Sequence, residues 1–176
     1  MQPVTARPWL ERSELGPAVL AARVRRQDWT AIIPAAGRGT RLGFDGPKIL
    51  YPVAGRPILP HLLETLAPHC AQAVLVVAPQ ARRAVAAQLP QLPTACSVAV
   101  QPEPDGMAGA VLQALPRLQT AAALIVWGDQ VALRGETIGI AARLLEGPLC
   151  PDAVIPTVWR AAPYIHFERD AAGRIS

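Results

Sequence analysis

The chain has 176 residues, 51% of them apolar and 17% charged, with a formal net charge of +4. That length suits one domain with a sizeable core, and so apolar a composition excludes a disordered chain. No window reaches the roughly eighteen apolar residues of a membrane span. Basic residues are scattered without interleaved aromatics, so neither a membrane nor a nucleic acid is expected as a partner.

Residues 1–28 precede the first strand, with Leu15 to Arg26 as a short helix. Arg7, Glu11, Arg12 and Glu14 interrupt the N-terminus before any apolar leader can form. Cys70, Cys96 and Cys150 are odd in number and widely spaced, which suits buried thiols in a reducing compartment. Together these features predict a cytoplasmic protein.

The first strand is the apolar run Ala31-Ile32-Ile33, which Pro34 breaks into a loop carrying Gly37, Gly39, Gly43 and Gly46. Ala54-Gly55-Arg56 is a turn, and Pro57 opens a helix to about His69 with Ile58, Leu62, Leu63 and Leu66 on one stripe. His61 and His69 lie on or beside it with no metal-ligand spacing, and read as surface or packing residues. Ala73 to Ala78 is a second strand, Gln80 to Leu89 a helix, and Cys96 to Val100 a third strand. The loop Gln101 to Gly106 leads into a helix from Met107 to Leu118. Ala122 to Trp127 is a fourth buried strand, Thr137 to Leu145 a helix, and Ala153-Val-Ile155 a fifth strand. Tyr164 to Glu168 reads as a strand entering a hairpin turn.

Strands alternating with helices of about ten residues predict an α/β fold with a mostly parallel sheet and right-handed crossovers. Ligands of such sheets bind beyond the carboxyl ends of the strands. The glycine loop after strand one, Gln101 to Gly106 after strand three and Asp129 after strand four all fall there.

A strand running into a glycine loop is a phosphate-binding design, because successive free N–H groups form a nest for an anion. Arg38, Arg41 and Lys48 surround this loop with cations. Sixteen of the seventeen basic residues are Arg, so Lys48 is the only lysine and its position calls for a compact point charge. Two familiar motifs fail on spacing. Leu42 takes the third glycine's place in G-x-G-x-x-G, which argues against a dinucleotide-binding oxidoreductase, and no Gly-Lys pair supports a P-loop.

The stretch Ala35-Ala36-Gly37-Arg38-Gly39-Thr40-Arg41-Leu42, a four-residue gap, then Pro47-Lys48 resembles the signature of the nucleotidyltransferase superfamily. More closely, it is similar to the sugar-nucleotide pyrophosphorylases, of the GlmU N-terminal-domain kind. Gln101, Gly106 and Ala110 resemble that family's base-reading segment, with Met107 in place of its usual Thr. Gly128-Asp129 resembles its metal-binding strand end. The resemblance covers roughly residues 30 to 176 and implies a three-layer Rossmann-like fold of the nucleotide-diphospho-sugar transferase type. It implies that residues 1–28 are an N-terminal extension ahead of a domain over 29–176. It also implies that a second metal ligand and much of the acceptor pocket lie beyond this sequence.

What the resemblance implies for function is an Mg²⁺-dependent enzyme of the EC 2.7.7 type. It would join an NTP to a phosphorylated acceptor, foremost a sugar 1-phosphate, and release pyrophosphate. Ala35, Ala36, Gly37, Gly39, Thr40, Arg41 and Lys48 would bind the nucleotide, with Arg41 and Lys48 catalytic. Gln101 and Gly106 would read the base, and Asp129 would hold Mg²⁺. A Gln that donates and accepts at once suits a uracil or thymine edge, so UTP or dTTP is expected. The alternatives are a nucleotide-binding module of the same fold without turnover, or a non-sugar acceptor of the molybdenum-cofactor or cytidylyltransferase type.

Overall fold

The computed structural model describes residues 13, 15–17, 25, 28–38, 40–148, 151–163 and 166–171. The chain divides into two compact units, Val24–Gly139 and, from either side of it, Met1–Arg23 with Ile140–Ser176. The described candidate-site residues all lie in the first unit.

Its centre is β1 (Trp29–Pro34), where Ala31, Ile32 and Ile33 are at most 1% exposed. A strand apolar on both sides can be stable only when both faces of its sheet are covered. The tight hairpin β2 (Pro52–Val53) and β3 (Arg56–Pro57) leads into α1 (Ile58–Leu66). All four residues of the expected stripe are buried, and Leu59 widens it. Arg56 of the hairpin donates to Glu64 of α1 at 2.5 Å, and that hydrogen bond holds the Glu64 carboxyl below its ordinary range.

The chain continues through β4 (Gln72–Val77), α2 (Arg82–Ala86), β5 (Ala95–Val100), α3 (Gly106–Ala114), β6 (Ala122–Ile125) and α4 (Gly135–Glu146). The sheet order is β5-β4-β1-β6, and every neighbouring pair is parallel. Ala110 and Ala114 of α3 pack over Ile32, Val74, Val76 and Ala99 on one face of the sheet. The chain moves outward from β1 to β4 and β5, then crosses back to put β6 on the far side of β1. Strand order therefore reverses at β1 and β6, the place where open α/β sheets bind ligands.

Several expected elements differ. Helix α2 is only five residues long, because Pro79 starts a separate 3₁₀ turn and Pro90 sits in another. Likewise α3 ends at Ala114, with Pro116 inside a 3₁₀ turn that follows. Strand β6 stops its regular pairing at Ile125 and, as a sheet edge, is half-exposed rather than buried. Ala153 to Ile155 forms no strand: Pro151 and Pro156 flank it, and Ile155 is left 52% exposed. His166 to Glu168 is irregular, and Tyr164 and Ile165 lie outside the described residues, as does most of the expected helix over 15–26.

Cys70 is buried and Cys96 half-buried, while Cys150 lies outside the described residues. Burial pushes the Cys96 thiol up to about 11.

Candidate active site

The loop after β1 folds back on itself. Lys48 N–H donates to the Gly37 carbonyl at 3.1 Å, and Arg38 and Pro47 form a β-bridge just inside that closure. Residues 37–48 thus form an Ω-like loop whose two ends touch. Closure brings Lys48 back to the carboxyl end of β1. Gly43, at φ +63°, makes one reversal that a side chain would strain.

Asp129 reaches the same place from the far side of the switch point. Past the last regular pair of β6, Val126 N–H still donates to the Ile32 carbonyl and Gly128 N–H to the Pro34 carbonyl. The ladder therefore carries the chain to Gly128 in step with β1. A Cβ on Gly128 would lie 3.1 Å from both the Ala35 Cβ and the Pro34 carbonyl oxygen, so only glycine packs here without displacement. The next residue is Asp129, whose Oδ2 accepts from Lys48 Nζ at 2.5 Å across 81 residues of sequence. Both side chains are 39% exposed, so the pair is open to solvent and to a ligand.

A cleft of about 170 Å³ opens on this pair, walled by Gly37, Ile49, Met107 and Trp127 among others. A second cavity of about 410 Å³ lies on the other side of the glycine loop, lined by Ala36, Gly37, Arg38, Thr40, Phe44 and Gln80 among others. Gly37 belongs to both, so the loop is a shared wall between them. Ala35 is buried beneath the loop and Ala36 half-buried on it. Arg41 is exposed on the 3₁₀ turn Thr40–Leu42 and lines neither cavity. Gly39 lies outside the described residues.

The structure brings Gly37, Lys48 and Asp129 together, and it sets Gln101 and Gly106 beside one another after β5. Gln101 sits at the end of β5 and is 5% exposed. Its Nε2 donates to Asp105 Oδ1 at 2.5 Å and to the Gly106 carbonyl at 2.9 Å. Both amide hydrogens are spent inside the segment, so Gln101 can offer a ligand its Oε1 acceptor and no donor. Gly106 takes φ +94° at the start of α3, which explains the glycine there. Met107 in place of Thr puts a 41% exposed side chain at the cleft wall.

The donor set suits a metal that arrives with its substrate. Among the described residues no three metal-ligating side chains cluster, but Mg²⁺ commonly takes only one or two protein carboxylates and fills its shell with phosphate and water. Asp129 supplies one hard oxygen ligand at the rim of a cleft that also presents Gly37 and a lysine. Trp127 joins the cleft wall without a motif of its own in the sequence, its one signal being its place two positions before Asp129.

The sequence pattern of the MobA-like NTP transferase domain matches residues 31–176. The chain belongs to this nucleotidyltransferase family. The bifunctional protein GlmU of Acidiphilium cryptum is 36% identical over 147 residues, covering 83% of this chain and 31% of that protein. GlmU of Granulibacter bethesdensis is 38% identical over 109 residues, covering 62% and 23%. The chain thus spans about a quarter to a third of the length of these curated relatives. Among solved structures, the inositol-1-phosphate CTP transferase from T. maritima superposes with a TM-score of 0.55 at 22% identity, covering 61% of this chain and 45% of that one. A CMP:2-keto-3-deoxy-manno-octonic acid synthetase complexed with CTP gives 0.51 at 16% identity, covering 68% and 48%. These two likenesses establish the Rossmann-like nucleotidyltransferase fold for this MobA-like domain.

Proposed function

We propose that this domain is an Mg²⁺-dependent nucleotidyltransferase that joins an NTP to a phosphorylated small molecule, foremost a sugar 1-phosphate, and releases pyrophosphate. The observation that carries the reading is the convergence of Lys48 and Asp129 beside Gly37 at the strand-order reversal. Family membership and the GlmU likeness support the reaction class. A cytoplasmic setting fits it, and no described helix is long and apolar enough to cross a membrane.

An acceptor phosphate oxygen attacks the α-phosphorus as the bond to the pyrophosphate oxygen breaks, in line with it. No protein nucleophile takes part, so the residues act by position and charge. The Gly37 backbone, with Ala35, Ala36, Gly39 and Thr40 along the same loop, cradles the triphosphate. Arg41, which has no partner among the described residues, is free to meet the departing phosphates from the rim. Lys48 neutralises charge that grows at the α-phosphate. Before substrate arrives, its ammonium is balanced by Asp129, which keeps both groups extended over the cleft. Asp129 is the residue that would hold Mg²⁺, and the ion would supply Lewis-acid charge to the phosphates. On the base side Gln101 and Gly106 face the nucleotide, and the Gln101 acceptor suits the imino N–H of UTP or dTTP.

The test is pyrophosphate release from an NTP panel, with and without sugar 1-phosphates, in Mg²⁺ and in chelator. Release that needs both acceptor and Mg²⁺ supports the reading. Tight NTP binding with no release under any acceptor makes the domain a nucleotide-binding module instead.

A further inference from the structure

One glycine in α3 has no part in the reaction above and no conformational need to be glycine. Gly109 is buried within the helix and has ordinary helical geometry. Alanine would favour the helix more, since glycine weakens helix interiors. The reason for glycine is Asp105, four residues earlier. Its carboxylate lies directly against the Gly109 Cα, where any Cβ would overlap Cγ and both oxygens. Asp105 occupies the N-cap position of α3, yet it makes no capping hydrogen bond. Its carboxylate serves Gln101 instead, accepting from Nε2 at 2.5 Å.

The orientation of the Gln101 amide follows from chemistry alone. The two groups facing one end of it, the Asp105 carboxylate and the Gly106 carbonyl, are both pure acceptors. That end must be the nitrogen. Oε1 then points the other way and takes no hydrogen bond among the described residues, though Gln101 itself is almost wholly buried. Oε1 is not among the buried atoms sealed from solvent, so it is open to accept a ligand N–H, and a base that covered it without a donor would leave it unsatisfied.

We propose that Asp105, seated on Gly109, is a positioning residue that locks Gln101 as an acceptor and so selects nucleobases with a ring imino N–H. Uracil, thymine and guanine carry a donor at that ring nitrogen. Cytosine and adenine carry a lone pair there, which would face the Gln101 oxygen without a hydrogen. This inference rests on the nucleotidyltransferase reading above and adds the polarity of the base contact and the two residues that set it. Neither Asp105 nor Gly109 touches the nucleotide; both act through Gln101.

The test measures affinities by calorimetry, in Mg²⁺, for inorganic triphosphate and for UTP, dTTP, GTP, CTP and ATP. The proteins are the wild type, Gly109→Ala, Asp105→Ala and Asp105→Asn. Triphosphate should bind all four alike, because the glycine loop is untouched. In the wild type UTP, dTTP or GTP should exceed CTP and ATP by about tenfold or more, as one unsatisfied buried polar group implies. Gly109→Ala displaces the Asp105 carboxylate without weakening the helix, and Asp105→Ala removes it. Either leaves only the Gly106 carbonyl holding Nε2, so the amide is held less firmly and the spread should narrow toward about threefold. Asp105→Asn retains an acceptor oxygen and should keep the wild-type ranking, whereas a merely structural role for Asp105 would move triphosphate and NTP affinities together. A wild type that prefers CTP or ATP, or a Gly109→Ala variant that keeps the full spread, overturns the inference. If the wild type binds triphosphate but ranks no base, the inference falls while the proposed function stands. If it binds neither triphosphate nor any NTP, the proposed function falls and the inference with it.

Discussion

The Lys48–Asp129 cleft and the Gln101 corner lie at the same end of the sheet but are assembled by different means. The cleft joins residues 81 positions apart, and each arrives there by backbone geometry: Lys48 by closure of its loop onto Gly37, Asp129 by the ladder between β1 and the end of β6. Its charged groups stay 39% exposed. The corner uses residues within five positions of one another, joined side chain to side chain and side chain to backbone, around a Gln that is 5% exposed. Long-range backbone placement leaves charges free for a ligand. Local hydrogen bonding instead consumes part of the polar capacity and leaves one defined atom.

The largest effect should come from the cleft. Lys48→Ala should reduce turnover by about a hundredfold or more, as loss of one preorganised charge costs on the order of 3 kcal/mol in the transition state. Its fold should survive, because an ion pair this exposed contributes about 0–1 kcal/mol to stability. Lys48→Arg should not restore activity, since a planar fork cannot replace a point charge at close range. Steady-state kinetics beside a thermal melt separate the two effects, and normal turnover in a folded Lys48→Ala protein would break the account of the cleft.

Gly128→Ala tests whether backbone register places Asp129. The added methyl meets Ala35 and the Pro34 carbonyl at 3.1 Å, so the end of β6 must move from β1. Overpacking of this kind costs about 1–3 kcal/mol, and turnover should fall roughly tenfold as Asp129 shifts. A variant with unchanged melting temperature and unchanged rate would show that this contact positions nothing.

Gln101→Ala should act on the corner alone. NTP discrimination should shrink by about 1–3 kcal/mol while triphosphate affinity holds. Equal loss for triphosphate and every NTP would mean that the two regions are not separable.

The smallest effect lies outside both. Ala54, at φ 50°, and Gly55, at φ 79°, form the two-residue turn of the β2–β3 hairpin, a geometry that demands positive φ at both positions. Ala54→Asn should stabilise the protein by about 0.5–1 kcal/mol in a denaturant melt and leave kinetics untouched, since Asn enters this region more readily than Ala. A change in turnover would tie the hairpin to the cleft.

The same contrast explains what could be read before the structure. The glycine loop and Lys48 were legible because their chemistry is written in spacing and in the chain's single lysine. The parallel sheet was legible because Ile32, Val74 and Val76 belong to short apolar runs separated by helical stretches. Gly128 and Gly109 were not, because what each excludes is a Cβ against a neighbour that only folding supplies. The acceptor polarity proposed for Gln101 is hidden for the same reason: a lone glutamine reads as donor and acceptor until the fold sets Asp105 beside its nitrogen. Ala153 to Ile155 has the composition of a strand, but it lies between Pro151 and Pro156 and pairs with no strand among the described residues, leaving Ile155 52% exposed.

The most direct test of the central claim is a double-mutant cycle on Lys48→Ala and Asp129→Ala, read as the Mg²⁺-dependent affinity for an NTP. Two residues acting on one triphosphate in one cleft should be coupled, with an interaction energy of about 0.5–3 kcal/mol. Losses that add within about 0.5 kcal/mol, or an Asp129→Ala protein with undiminished Mg²⁺ dependence, would contradict it.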